Sequence, residues 1–214
     1  MTANATPDGV RDDHVVVPQV EGARDVARLS FDNGLGRLEV RAGENMADLL
    51  EARFTEPLPV VWAANHNVHV EYPLGSRLMR RMRHNVIQVN AMVPWAIDVH
   101  GGAEHLDADL TGVDVHSVAF HAGAAHLRLR LGHPTGSRAI RLASVKDLRI
   151  ERPAGVPVRV EVAKGATNLT VDDRRLGAAA GRLTDQTPGY PAGDDCYLVI
   201  VSGGADTLTV SEIA

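Results

Sequence analysis

Residues 99–131 read VHGGAEHLDADLTGVDVHSVAFHAGAAHLRLRL, and one pattern occurs in them twice, as VHGGAEHLDADL (99–110) and FHAGAAHLRLRL (120–131). The pattern returns as LASVKDLRI (142–150), VAKGATNLTV (162–171) and VSGGADTLTV (201–210). Aligned on the leucine after a small-residue corner, the copies give Leu106, Leu127, Leu148, Leu169 and Leu208, at steps of 21, 21, 21 and 39 residues. Self-similarity at a short fixed period is the mark of stacked supersecondary units. The reading predicts an all-β, single-domain β-solenoid, toastrack- or β-helix-like, built from two-strand repeats, with a late insertion.

Within each copy, apolar and polar residues alternate on both sides of the corner, the period-2 signature of strands with one buried face. Ile97/Val99, Val118/Phe120, Ile140/Leu142, Val160/Val162 and Val199/Val201 precede the corner. Ala108, Leu129, Ile150, Val171 and Val210 follow the leucines at the next inward position. The Leu142 copy is one residue shorter between its strands than the others, which predicts a distorted turn there. Stacking would set equivalent residues about 4.8 Å apart. Asp107 then neighbours Arg128, Asp109 neighbours Arg130, and Arg130 neighbours Glu151, opposite charges that favour this register.

Upstream, LSFDNGLGRLEV (29–40) carries a weaker copy, with Leu29/Phe31 before the corner and Leu38/Val40 after it. LLEARF (49–54) reads as a strand, VVWAANHNVHVEY (60–72) as a hairpin turning at Asn65–Asn67, and NVIQVN (85–90) as a strand leading to the first clear repeat. The expected organisation is a flexible tail over 1–23 and one domain over 24–214, with clear repeats at 95–171 and 197–210 and a protruding Gly/Pro/Asp-rich hairpin or loop over 172–196. Only 43–50 and 76–84 offer any helical pattern.

The chain has 214 residues, a net charge of −5, 44% apolar and 4% aromatic residues, which places it among ordinary globular proteins and away from disorder and general nucleic-acid binding. No apolar run approaches the roughly 20 residues of a membrane-spanning helix. The N-terminal MTANATPDGVRDDH has no signal-peptide apolar region, so cytoplasmic residence is expected. A single cysteine, Cys196, excludes an internal disulfide framework and any cysteine-built zinc site.

The VPW lead into a strand, the GGA-x-(H/D/N/T)-L corners and the PGY loop before a final GGA unit resemble actinobacterial toastrack and adhesin-like β-solenoid proteins, relatives of domains in cell-envelope stress sensors. The resemblance spans about residues 25–214. It implies a binding, scaffolding or sensing module without catalytic residues, linked to envelope sensing or adhesion.

Two constellations could carry chemistry. His100 with His121, and His105 with His126, recur 21 residues apart, so adjacent repeats would stack them about 5 Å apart. Four imidazoles converging with a carboxylate such as Glu104 could hold zinc, nickel or copper, the basis of a metal-binding or metal-dependent enzyme alternative. The bland reading is a polar ladder, because later repeats put Asp147, Asn168 and Thr207 in the second column. Either way, protonating stacked rings sets like charges side by side and predicts lower stability in mild acid. The run RLMRRMRH supplies Arg77, Arg80, Arg81 and Arg83, which could meet an acidic partner or an anionic surface, or simply keep a connection soluble.

The sequence lacks GxGxxG, Walker, HExxH and GxSxG motifs, and Asp194–Asp195–Cys196 and Asp12–Asp13–His14 resemble catalytic groupings by adjacency alone. The preferred function is therefore a non-catalytic binding, scaffold or self-assembling module with no cofactor. Because VSGGADTLTV stands last in the chain, it would leave an open strand edge unless the 172–196 insertion folds over it, and a dimer formed through an edge or a sheet face is expected.

Overall fold

The computed structural model describes residues 9–19, 25–73, 84–190 and 195–213. Every regular element among them is a β-strand. The N-terminal part holds β1 (His14–Val17), β2 (Ala27–Phe31), β3 (Leu35–Gly43), β4 (Leu50–Arg53), β5 (Val60–Ala64), β6 (Asn67–Glu71) and β7 (Asn85–Asn90). The central repeats form β8 (Trp95–Val99), β9 (Ala103–Leu110), β10 (Val115–Ala124), β11 (Leu127–Leu131) and β12 (Ser137–Arg152). The C-terminal part holds β13 (Val158–Val162), β14 (Gly165–Val171), β15 (Arg174–Leu176), β16 (Ala179–Ala180), β17 (Leu183–Gln186), β18 (Cys196–Val201) and β19 (Ala205–Glu212).

Hydrogen bonding arranges the repeats into two parallel ladders. The strands before the corners run in the order β6, β2, β8, β10, β12, β18, β13. Those after the corners run in the order β7, β3, β9, β11, β12, β19, β14. Leu38, Leu106, Leu127, Leu148, Leu208 and Leu169 fall in register along the second ladder, at most 3% exposed. They belong to one continuous apolar core with Ile97, Val118, Ile140, Val199 and Val160 of the first ladder. Alternation explains this, since each strand turns every second side chain inward.

The ladder order differs from the chain order at both ends. The sequence reading places Leu169 beside Leu148, whereas β18 and β19 lie between β12 and the β13–β14 tier. In the same way β2 and β3 lie between the β6–β7 tier and β8–β9. The last repeat is therefore interior, and the open edge expected there does not exist. The 172–190 part of the 172–196 segment folds back on the core as short strands. Its β17 pairs antiparallel with β13, and β15 and β16 pair antiparallel with β14, so it covers that end.

At the other end β5 pairs antiparallel with β6 and β4 with β7, and β1 adds to β4. Val10 bridges to Val61 of β5. The expected tail over 1–23 is thus strand-paired at 14–17, where Val15 and Val17 are buried: alternation in HVVV lets it close the end. The 43–50 segment turns rather than forming a helix, and the arginine-rich helix candidate lies largely in 74–83, outside the described residues. The short Leu142 corner does not interrupt its chain. β12 runs unbroken from Ser137 to Arg152, and the irregularity falls to its neighbour as a register shift between Phe120 and Gly123.

One buried cation joins three tiers. Arg152, 1% exposed, donates from Nη2 to Asp172 Oδ2 at 2.7 Å and from Nη1 to Glu212 Oε1 at 3.2 Å. The Gly155 amide, at 2.8 Å, and the Arg152 guanidinium hold the Glu212 carboxyl below its ordinary range. At the opposite margin of β18, the buried Tyr197 hydroxyl donates to Gly132 O at 2.8 Å, and burial pushes its phenol pKa well up. No helix among the described residues is long and apolar enough to cross a membrane.

Candidate binding face

The corners between the ladders decide what the outer surface offers. Parallel pairing puts His100 beside His121 and His105 beside His126, and both pairs stack face to face. Their ring centroids are 4.7 and 4.8 Å apart, with interplanar angles of 6° and 15°. Each stack also has a carboxylate neighbour, with His121 Nε2 3.4 Å from Asp98 Oδ1 and His126 Nδ1 3.3 Å from Asp147 Oδ2. Asp98 is 8% exposed and is also engaged by Arg28. His126 reaches its place with φ of 55°, a left-handed turn residue at the corner.

The four histidines thus form two separate stacks. Among the described residues, no three His, Cys, Asp or Glu side chains come together as a group able to hold a metal ion. In the second column the order is His105, His126, Asp147, Thr207, Asn168, with His126 contacting the carboxylate of the next tier. Arg77, Arg80, Arg81 and Arg83 lie outside the described residues.

A groove of about 500 Å³ crosses the corners of successive tiers. Small residues make it, among them Gly102, Gly123 and Ser144, while Glu104, Lys146 and Asp206 bring charge to its walls. The glycines divide into two kinds. A Cβ on Gly203 would lie 2.5 Å from Ala143 O, so close backbone packing demands glycine there. A Cβ on Gly102 or Gly123 would find its nearest neighbour at 3.6 or 3.5 Å, an ordinary contact, and neither residue has a positive φ. Those two glycines leave the groove open without being required by the fold.

Below the corners, the outer sheet face is a lattice of ion pairs. Arg130 meets Asp109 at 2.5 Å and Glu151 at 3.4 Å, and Arg128 meets Glu151 at 3.0 Å, but Arg128 and Asp107 are 3.9 Å apart. Partial burial pushes the Asp109 carboxyl upward, and hydrogen bonds from Thr111 with the Arg130 and Arg128 charges more than offset it, leaving its pKa lowered. Sequence reasoning missed the stack of Trp62 on His69, with ring centroids 3.7 Å apart, where His69 Nδ1 is 3.2 Å from Asp32 Oδ2. The hairpin turn at Asn65–His66 was the available signal, because it puts Trp62 directly opposite His69. Cys196 is 1% exposed and lies beside Tyr190, whose phenol pKa is raised by burial and by the thiol.

No family model matches this chain, and none of the curated proteins does. Among solved structures, the chain is similar to a protein from Clostridium sporogenes provisionally described as a cell adhesion protein. The TM-score is 0.59 at 15% identity, covering 95% of this chain and 98% of that one. At that identity the likeness is one of fold.

Proposed function

We propose that this protein is a non-catalytic binding module whose stacked tiers form a solenoid-type scaffold, with the corner groove as its binding face. The observation that carries the reading is the groove itself, kept open by Gly102 and Gly123 although neither the backbone nor its neighbours demand glycine. Glycine within a strand, as at Gly123 in β10, costs roughly 0.5–1 kcal/mol relative to alanine, and close approach of another chain or ligand is one circumstance in which it is used. The adhesion description of the structural neighbour supports a binding role of the same general kind, at the level of fold.

The test screens the full chain against an array of defined glycans and extended peptides, then repeats it with the Gly102→Ala/Gly123→Ala/Ser144→Phe variant. A groove ligand loses at least tenfold in affinity while the melting midpoint is kept. Ligands indifferent to the filling would overturn the groove, and conversion of a bound ligand into product would overturn the non-catalytic reading.

A further inference from the structure

We infer a second site on the outer face, one that takes a phosphate or sulfate ester on a sugar-sized molecule. An open cavity of about 430 Å³ is lined by His121, Arg141 and Lys164 around a floor that includes Ala143, Ser202 and Gly203. No carboxylate is among its lining residues, whereas four other surface cavities each include at least one.

The cations here also differ from most on this surface. Arg28, Arg128, Arg130, Arg138, Arg159 and Arg174 each meet a carboxylate. Arg141 is flanked in register by Ala119 on one strand and Ile200 on the other, which cannot neutralise it. Among the described residues, neither the Arg141 nor the Lys164 side chain has an ion pair or hydrogen bond, and both are exposed. The acids one strand further along the same row are otherwise engaged, Asp98 by Arg28 and His121, and Glu161 by Arg159 at 2.8 Å.

The floor is built of fixed backbone. Ser202 N donates to Leu142 O at 2.9 Å, Gly203 N to Ala143 O at 2.6 Å, and Lys164 N to Gly203 O at 3.0 Å. These bonds arise because the β18–β19 tier is inserted between β12 and β13–β14, which seats Ser202 and Gly203 between Arg141 and Lys164. A planar guanidinium, an ammonium and a hydroxyl around one concavity match a tetrahedral oxyanion. The volume lies in the lower range of small-molecule pockets and leaves room for an organic body behind the anion.

The experiment titrates the full chain, labelled for amide NMR, with glucose 6-phosphate, glucose 6-sulfate, inorganic phosphate and glucose at constant ionic strength. Shifts at Ser202, Gly203 and Lys164 are expected with the esters and not with glucose. Arg141→Gln and Lys164→Gln should each weaken the ester about tenfold, as loss of one charge-assisted contact would. Both residues are exposed, so the variants should keep the parent melting midpoint. Inorganic phosphate binding as tightly as the esters would overturn the sugar-sized ligand. Shifts unchanged in the double variant, or reproduced by sodium chloride, would overturn the site. Co-sedimentation with phosphatidic acid vesicles without binding of the soluble esters would also overturn it, in favour of a lipid headgroup. The corner groove is untouched by these variants, so the two sites fail separately.

Discussion

Residues 95–152 and residues 158–212 carry the same repeat but assemble it differently. In the first region chain order and spatial order coincide, with β8–β9, β10–β11 and β12 following one another. In the second, the later tier slips between its predecessors and the intervening segment folds over the end. The difference teaches that side-chain alternation specifies which residues join a ladder, while the connections specify where. A leucine ladder is indifferent to whether Leu169 or Leu208 lies beside Leu148. The choice falls to the caps, because β15–β17 can cover β13 and β14 only if that tier is outermost.

The sharpest way to break this comparison is to ask whether the last tier is as interior as the central ones. Leu208→Ala and Leu127→Ala should each cost about 3 kcal/mol, within the usual range for a fully buried leucine. Urea unfolding measures both, and a loss at Leu208 of only a fraction of that at Leu127 would mark 196–212 as a frayed end. Arg152→Met comes next, at about 2 kcal/mol by the same measurement. Removing a buried cation is costly, but Asp172 and Glu212 are partly exposed and can recover water.

The same latch predicts an acid dependence. The Glu212 carboxyl is held below its ordinary value, so its contribution is complete above that value and disappears as pH falls through the lowered one. Unfolding midpoints measured from pH 5.5 down to pH 3 should fall in the parent and fall less in Glu212→Gln. In the sequential region the corresponding change is smaller, since His100→Gln/His105→Gln takes one ring out of each exposed stack and should lower the urea midpoint less than Arg152→Met does. The smallest expected effect is Gly123→Ala, neutral or stabilising by up to about 1 kcal/mol. Gly203→Ala should destabilise, since its Cβ would meet Ala143 O.

How much of this was legible follows from the same contrast. The ladders, the histidine stacks, the Arg130 pairs with Asp109 and Glu151, and the Asn65–Asn67 hairpin depend on spacing, and spacing is written in the chain. The N-terminal cap was not legible, and the other was legible only as one option for 172–196, over a different tier from the one it covers. HVVV at 14–17 is too short to separate from a tail, and the Arg174–Gln186 strands are polar because they lie on an end of the core rather than inside it. The Arg141–Lys164–Ser202 cavity was hidden for another reason: Ser202 comes to lie between the other two only through the inserted order.

That insertion has a consequence for synthesis. Domains form from the N-terminus as the chain emerges, yet β13 and β14 are made before the strands that join them to the rest. Until residues 196–212 leave the ribosome, 158–171 can reach only the β12 edge, a seat it does not keep in the finished fold. Premature termination anywhere in that interval would yield a protein with a greasy cleft, a natural target for chaperones and proteases.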